Sequence, residues 1–193
     1  LSRFEACYIA LQYVSLTNTG KPYMGVGRNL SYGKELFFKN KGFASHLNLV
    51  SGDDDIFVNE TSNAKNTRVE TDPMSFTFSE AELTWGEWFR QKRRHLTTSS
   101  FYQQSTRLIL GGEYFSRLLM IVSFVFLLIL FPLPVYVVTV YILLLLVKSI
   151  IYIIAFNRMN EKNLFLAAII FEPIMPFLYG WFHFINFIER KRS

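Results

Sequence analysis

The stretch LLMIVSFVFLLILFPLPVYVVTVYILLLLV, residues 118–147, decides how this chain is organised. It contains no charged residue, and only one serine and one threonine interrupt the apolar run. A helix that crosses a bilayer needs about 20 consecutive apolar residues, so the stretch suits two helices better than one. The motif Phe-Pro-Leu-Pro at 131–134 is the natural break, because proline removes a backbone donor and disfavours helix in the residue before it. The sequence predicts a transmembrane helical hairpin, with helices at about 114–132 and 135–156.

Basic residues flank this predicted hairpin on both sides. Arg107 and Arg117 precede it, and Arg158 and Lys162 follow it. The positive-inside rule therefore places both ends of the hairpin in the cytoplasm, in a multi-pass protein of the inner (cytoplasmic) membrane. Lys148, near the end of the second helix, is expected to extend its ammonium group to the interface. No pair of opposite charges is recognised inside the apolar segments, so ion or proton transport is not expected.

A third apolar segment, at about 164–188, is interrupted by Glu172-Pro173 and Pro176. A third span would put the basic tail, Glu189-Arg190-Lys191-Arg192, outside the cell, against the positive-inside rule. We therefore expect this segment to be membrane-embedded or re-entrant, as a pair of short interfacial helices that keeps the tail inside.

Composition excludes several classes of protein. The chain has 193 residues, of which 51% are apolar and 18% charged, so it is too apolar for disorder and too charged to lie wholly in lipid. A single cysteine, Cys7, excludes a disulfide framework. The net charge of +5 is spread without clusters of Lys and Arg interleaved with aromatics, so no nucleic-acid partner is expected. Because the chain starts at Leu1 without an initiator methionine, we expect it to be the C-terminal portion of something longer.

The first half of the chain predicts a mixture of helices and strands. Helical spacing predicts a helix at about 3–15 and a shorter one at 34–40. Gly25 and Gly27 lack the third glycine of a dinucleotide fingerprint, so they predict a close-approach turn before a short strand. Alternating side chains at 68–70 and 75–79 are typical of strands.

An acidic triplet, Asp53-Asp54-Asp55, is the first chemical candidate. Ser51 with Asp54 three residues later is typical of a variant capping box, which would make the triplet a helix start. Three adjacent carboxylates nonetheless repel one another, so such a cluster is costly unless a cation or a proton-transfer task uses it. An EF-hand is excluded, because its alternating ligands are missing. The residues alone leave the cap and the chemical role both open.

A helix near 84–98 is the second candidate. It starts at the capping box Thr84-Trp85-Gly86-Glu87, with Leu83 and Trp88 placed as a hydrophobic staple. One face has aromatic residues and suits a membrane surface; it comprises Trp85, Trp88, Phe89 and Lys92. A second face can converge on one ligand, such as a diphosphate; it comprises Gln91, Arg94 and His95. The alternative for the whole helix is a basic surface element that touches anionic lipid.

Three motifs in order resemble the C-terminal portion of a membrane-anchored family-2 glycosyltransferase of bacterial type. Gly52-Asp53-Asp54-Asp55 is similar to the family's acidic motif, and Gln91-Lys92-Arg93-Arg94-His95 is similar to its Gln-x-x-Arg-Trp motif, with His95 in place of tryptophan. The segment at 26–32, followed by Gly42-Phe43, resembles the acceptor-side segment that precedes the acidic motif. The resemblance covers residues 1–105.

The resemblance implies an α/β fold for residues 1–112, the C-terminal part of a GT-A-type domain, followed by an α-helical transmembrane region at 113–193. It implies inverting transfer of a sugar from a nucleotide-sugar donor. Asp54 would be the general base, with Asp55 in reserve, and Asp53 and Asp55 would orient it or the acceptor. Arg94, with Gln91, would hold the leaving diphosphate.

The acceptor side is implied by the same resemblance. His95 would line the acceptor site in place of tryptophan, together with Gly27, Arg28 and Asn29. The acceptor would be a cell-envelope polysaccharide, a glycolipid or a lipid-linked precursor. The family's nucleotide-binding half, with the motif that binds Mg²⁺ or Mn²⁺, would lie upstream of Leu1, so this chain alone is expected to turn over nothing. The competing interpretation is a membrane-anchored, non-catalytic interaction or regulatory module.

Overall fold

The structure, a computed structural model, describes residues 1–44, 51–82, 84–130 and 134–190. Throughout these ranges the regular elements are helices, and no strand is present. The expectation of an α/β fold is therefore wrong. The α-helices are α1 Ser2–Asn18, α2 Lys34–Lys39, α3 Asp53–Thr61, α4 Trp85–Thr98, α5 Gln104–Leu130, α6 Pro134–Arg158 and α7 Phe165–Arg190.

The strands expected at 68–70 and 75–79 are replaced by irregular backbone held by local side chains. Asn63 Oδ1 accepts from the backbone N–H groups of Lys65 and Asn66, at 2.9 and 3.2 Å. Asp72 Oδ1 accepts from the Met74 N–H at 2.8 Å and caps a 3₁₀ turn. These turns lie directly before the two expected strands, so turn chemistry prevails over the alternating pattern.

The predicted hairpin consists of α5 and α6. Proline at the first position of α6, Pro134, fits a helix start because the N–H that it lacks has no intrahelical acceptor there. The rings of Phe124 and Tyr141 stack across the hairpin with centroids 3.9 Å apart. Beyond this contact most apolar side chains face outward, as expected of a surface that meets lipid; Ile129, for example, is 77% exposed. Residues 131–133 lie outside the described residues.

The third apolar segment forms one helix, α7, which continues through Pro173 and Pro176. It is not the pair of short helices that we expected from these prolines. Helices α5, α6 and α7 are each long and apolar enough to cross a membrane, which indicates a multi-pass membrane protein.

The largest core joins the first helix to the membrane helices. Phe4, fully buried on α1, has ring contacts of 6.2 Å to Tyr152 and 6.1 Å to Phe156 near the end of α6. It also meets Phe171 on α7 at 6.0 Å. Burying an aromatic side chain stabilises the fold by roughly 1.5–3 kcal/mol. This core fixes α1 against the beginning of α7 and the end of α6.

Contacts at the other end of α7 involve α4. The ring of Phe182, 1% exposed, lies 5.7 Å from Trp88 and 4.8 Å from Phe89. Arg93 Nε donates to Asn186 Oδ1 at 2.9 Å. Helix α7 thus bridges the end of α6 and the helix that leads into α5.

Candidate active site

The first contact of the site joins the glycine turn to the acidic triplet. The Gly27 N–H donates to Asp54 Oδ2 at 2.6 Å. A Cβ at position 27 would lie 2.6 Å from the same oxygen, so a larger residue here would displace the Asp54 carboxylate. Asp54 is half-buried on the first turn of α3. The turn Gly27–Asn29 carries Arg28 and Asn29, both exposed, beside this carboxylate.

Asp55 faces the interior of the protein. Its residue is 7% exposed, and the Tyr102 hydroxyl and the Gly25 N–H lie close enough to stabilise the charge of its carboxylate. Burial raises the pKa of Asp55 to about 7, repulsion from Asp54 adds to the rise, and these two groups oppose it. Asp55 therefore links α3 to the segments that lie on either side of it in the core.

The start of α3 differs from the expected capping box. The N-cap is Gly52, with φ +88° and ψ 15°, and it makes no side-chain cap bond. Asp53 is exposed on the first turn, where its charge complements the helix dipole. The pairing of Ser51 with Asp54 is thus wrong, since the Asp54 carboxylate is bound by Gly27 instead.

The end of α4 lies against the start of α3. A Cβ at Gly52 would lie 2.4 Å from Thr98 side-chain atoms, and Thr98 Oγ1 makes a long hydrogen bond of 3.5 Å to the Ser51 carbonyl oxygen. One turn earlier on α4, His95 is close enough for the Asp54 charge to act on it. The pKa of His95 nonetheless lies below its ordinary value, because neighbouring atoms desolvate the ring and Lys92 and Arg94 repel the imidazolium.

The two other residues of the basic motif are placed differently. Arg94 is exposed. Gln91 Nε2 donates to Glu82 Oε1 at 2.9 Å, so its amide is engaged by the preceding segment. The capping box that starts this helix is confirmed, since Glu87 N donates to Thr84 Oγ1 at 3.2 Å and Thr84 N donates to Glu87 Oε2 at 3.1 Å. The expected staple involves Leu83, which lies outside the described residues.

The aromatic face of α4 is largely a packing face. Trp88 is 6% exposed and lies against α7, whereas Trp85 at the helix start is 73% exposed. Lys92 Nζ lies 2.9 Å from Glu5 Oε2. Trp88 and Lys92 thus pack against α1 and α7, while Trp85 stays exposed, and the expectation of an interfacial helix remains a prediction.

Sequence reasoning missed the buried carboxylate of Glu5. Its side chain is 0% exposed. Trp88 Nε1 donates to Glu5 Oε2 at 3.1 Å, Tyr179 Oη donates to Oε1 at 2.9 Å, and Lys92 supplies the compensating charge. A fully buried carboxylate needs such partners. Glu5 joins α1, α4 and α7, and only its place in a helical apolar stripe could have suggested burial.

Charged side chains also meet inside the apolar helices, contrary to expectation. Lys148 Nζ lies 2.7 Å from Glu172 Oε1, and Arg117 Nε lies 3.4 Å from the same oxygen. Lys148 therefore pairs within the helix bundle rather than extending alone to the interface. No local pattern shows this contact, because the partners lie on three different helices.

The described residues contain no group of three or more His, Cys, Asp or Glu side chains arranged to hold a metal ion. In the triplet, Asp54 is bound by Gly27 and Asp55 by Tyr102 and Gly25, so these carboxylates do not converge on one point. The residues present here do not fit the Mg²⁺ or Mn²⁺ site that the resemblance implies.

Fold and site together define a multi-pass membrane protein with a carboxylate site at the junction of α3 and α4. Residues 1–182 match the family described as Glycosyl transferase family group 2. The chain therefore belongs to the family-2 glycosyltransferases. No curated protein matches the chain, and no solved structure matches it.

Proposed function

We propose that this chain takes part in inverting transfer of a sugar from a nucleotide-sugar to an acceptor hydroxyl, with Asp54 as the general base. The contact between Gly27 and Asp54 supports this proposal most directly, because it brings the acceptor-side motif onto the acidic motif. One Asp54 oxygen accepts the Gly27 N–H, which holds the carboxylate while its other oxygen can take a proton.

The bond changes balance without a further reactant. The acceptor oxygen bonds to the anomeric carbon and gives its proton to Asp54, while the bond from that carbon to the diphosphate oxygen breaks. The leaving nucleoside diphosphate takes the electron pair of the broken bond. Negative charge grows on it, and exposed Arg94 can stabilise that charge by bidentate hydrogen bonds.

Asp54 is favoured over Asp55 as the general base because an acceptor hydroxyl can reach it. Asp55 is buried, whereas Asp54 is half-buried beside an exposed turn. Asp55 acts as a positioning residue that anchors the first turn of α3. We assign His95, which is close enough for the Asp54 charge to act on it, to hydrogen-bonding the acceptor. The Mg²⁺ or Mn²⁺ that family resemblance implies is assigned to residues other than those described.

The topology that we propose keeps both ends of α7 at the cytoplasmic face. In support, Phe182 and Asn186 contact α4, which leads into α5, while Phe171 contacts the α1 core at the end of α6. A fluorescent protein fused after residue 193 tests this. Cytoplasmic fluorescence is expected, whereas an active periplasmic alkaline phosphatase at the same position would show a third span.

The test of function uses the protein as its own cell makes it, in native membranes, and compares wild type with Asp54→Asn on a panel of labelled nucleotide-sugars. We expect wild type to transfer one of these sugars and the variant to lose nearly all turnover while it still binds the donor. Glu80→Gln, an exposed carboxylate in the loop before α4, is the matched control and should keep its rate. An Asp54→Asn variant that transfers sugar at the wild-type rate would instead favour the non-catalytic module.

A further inference from the structure

A cavity of about 410 Å³ lies among α5, α6 and α7, within the part of the chain that is apolar enough for a membrane. It is not part of the carboxylate site on α3. Its lining is polar for a membrane region and comprises Glu113, Ser116, Arg117, Met120, Lys148, Tyr152 and Glu172. Ionisable residues inside a membrane domain are expensive and are usually functional.

The charges in this cavity balance. Arg117 and Lys148 are cationic, and Glu113 and Glu172 are anionic. Lys148 and Arg117 both pair with Glu172 Oε1, while Glu113 Oε1 accepts from the Tyr8 hydroxyl at 2.6 Å and lies 3.5 Å from Arg117. A site for a phosphate needs unpaired positive charge, and these cations already face carboxylates. The electrostatics favour an uncharged ligand.

Two atoms of this cluster make no hydrogen bond among the described residues: Glu172 Oε2, an acceptor, and Arg117 Nε, a donor that lies 3.4 Å from Glu172 Oε1 without hydrogen-bond geometry. Arg117 is 8% exposed and Glu172 is 3% exposed, so bulk water does not satisfy them. Buried polar groups are nearly always paired. A hydroxyl group both donates and accepts, so a ligand with several hydroxyl groups can satisfy both atoms without adding charge.

A second cavity, of about 240 Å³, adjoins the first one. It shares Glu113, Lys148 and Tyr152 with the first cavity and reaches Gln12 on α1. Gln12 Oε1 accepts from the Tyr23 hydroxyl at 2.8 Å. The Tyr23 ring lies 5.9 Å from that of Tyr102, whose hydroxyl lies close to Asp55. A series of side-chain contacts through Gln12, Tyr23 and Tyr102 therefore connects the second cavity to α3.

The position of the cavity fits a lipid whose chains remain in the membrane. Past Arg117, the charge-free part of α5 extends for about 20 Å, which is roughly two thirds of the hydrocarbon core. Apolar side chains on this part face outward; Leu119 is 51%, Val122 53% and Phe126 59% exposed. Acyl chains can lie along this surface while the head of the same molecule enters the cavity.

We propose that the cavity binds the uncharged, polyhydroxylated headgroup of a membrane lipid, which is the acceptor of the proposed transfer. This inference rests on the proposed function and specifies the class of acceptor. A lipid phosphate is disfavoured because both cations that line the cavity, Arg117 and Lys148, already pair with carboxylates.

The test measures lipid binding by the full chain in nanodiscs of phosphatidylcholine, without any nucleotide-sugar. The probes are a monoglucosyl diacylglycerol, phosphatidic acid with the same acyl chains, and free glucose. We expect the glucolipid to bind at least about tenfold more tightly than either of the others, since charge-assisted hydrogen bonds and acyl contacts both contribute. Equal or tighter binding of phosphatidic acid, or of free glucose, would overturn the proposal.

Two variants distinguish a loss of lipid binding in the cavity from a general loss of folding. Glu172→Gln removes the acceptor charge, and Ser116→Leu fills the cavity without touching the ion pairs. Each should weaken glucolipid binding about tenfold, whereas Glu80→Gln should not change it; melting temperature checks folding. Wild-type affinity in Ser116→Leu would overturn the proposal even if Glu172→Gln fails to fold. If Asp54→Asn transfers sugar normally while the glucolipid binds as expected, the base assignment fails and the binding site stands.

Discussion

Asp55 makes the stability of this protein depend on pH in a defined direction. The residue is 7% exposed, and burial raises the pKa of its carboxyl from 3.8 to about 7. The folded state therefore holds this proton more tightly than the unfolded state does. The contribution of Asp55 to the free energy of unfolding is fully present below about pH 4 and is lost as pH rises through about 7. Replacing Asp55 by asparagine removes the titration while it keeps a carbonyl oxygen to accept from Gly25.

The magnitude follows from the difference between the two pKa values. Each pKa unit corresponds to about 1.4 kcal/mol, so about three units amount to an upper limit of about 4 kcal/mol above pH 8. For a chain of this size, 1 kcal/mol shifts the melting temperature by about 2–4 °C. Asp55→Asn should gain up to about 10 °C relative to wild type between pH 5 and pH 8.5.

The assay is thermal unfolding of wild type and Asp55→Asn in the same detergent at closely spaced pH values. The difference in melting temperature between the two proteins cancels the titration of all other groups. It should grow with pH and level off above about 7, where Asp55 is ionised. A difference that stays constant from pH 5 to pH 8.5 would refute the reasoning, because the variant would then act only through its packing.

Three further substitutions test contacts around the site. Gly27→Ala puts a Cβ 2.6 Å from the Asp54 carboxylate, so its rate of sugar transfer should fall at least about tenfold. Gly33→Ala is the control in the same assay: it has open space around it and should keep the wild-type rate. Lys92→Met leaves Glu5 buried without its cation and should destabilise the protein by about 3 kcal/mol in thermal unfolding, and adding Glu5→Gln should recover part of that loss. Gly52→Ala places a side chain on a backbone with φ +88° and a Cβ 2.4 Å from the Thr98 side chain of α4. The melting temperature of this variant should therefore fall by several degrees. An unchanged melting temperature would show that the start of α3 adapts to the added methyl group.

Local chemistry explains which elements could be predicted from the sequence. The hairpin follows from the charge-free run at 118–147 and its central prolines, since length and hydropathy alone specify a membrane helix. The start of α4 follows from Thr84 and Glu87, whose reciprocal hydrogen bonds lie within one turn. Both signals involve neighbours in the chain, so a single sequence is enough to detect them.

The features that could not be predicted depend on partners far apart in the chain. Glu5 meets Lys92 and Tyr179, and Arg117 meets Glu172 across 55 positions, so no spacing rule detects either cluster. The α/β expectation failed because alternating side chains at 75–79 predict a strand only if a partner strand pairs with them. In the described residues Asp72 instead caps a 3₁₀ turn, Pro73–Ser75, at the start of that segment.

In the acidic triplet, too, the local sequence predicts less than the packing of distant elements decides. Its sequence shows three equivalent carboxylates, whereas the fold places Asp53 in solvent, Asp54 against Gly27 and Asp55 in the core. The three positions differ because successive side chains on a helix point about 100° apart. Which of the three faces the core depends on how α3 packs, and the triplet itself does not contain that information.

The most direct test of the central claim compares the transfer rates of Asp54→Asn and Asp55→Asn at saturating donor. Both variants should be assayed at pH 8 and normalised to bound nucleotide-sugar. If Asp54 is the base, Asp54→Asn should lose about a thousandfold or more in turnover, because positioned proton transfer contributes about 10²–10⁴-fold. Asp55→Asn should stay within about tenfold of wild type. A large loss in Asp55→Asn together with a near-normal rate in Asp54→Asn would contradict the account.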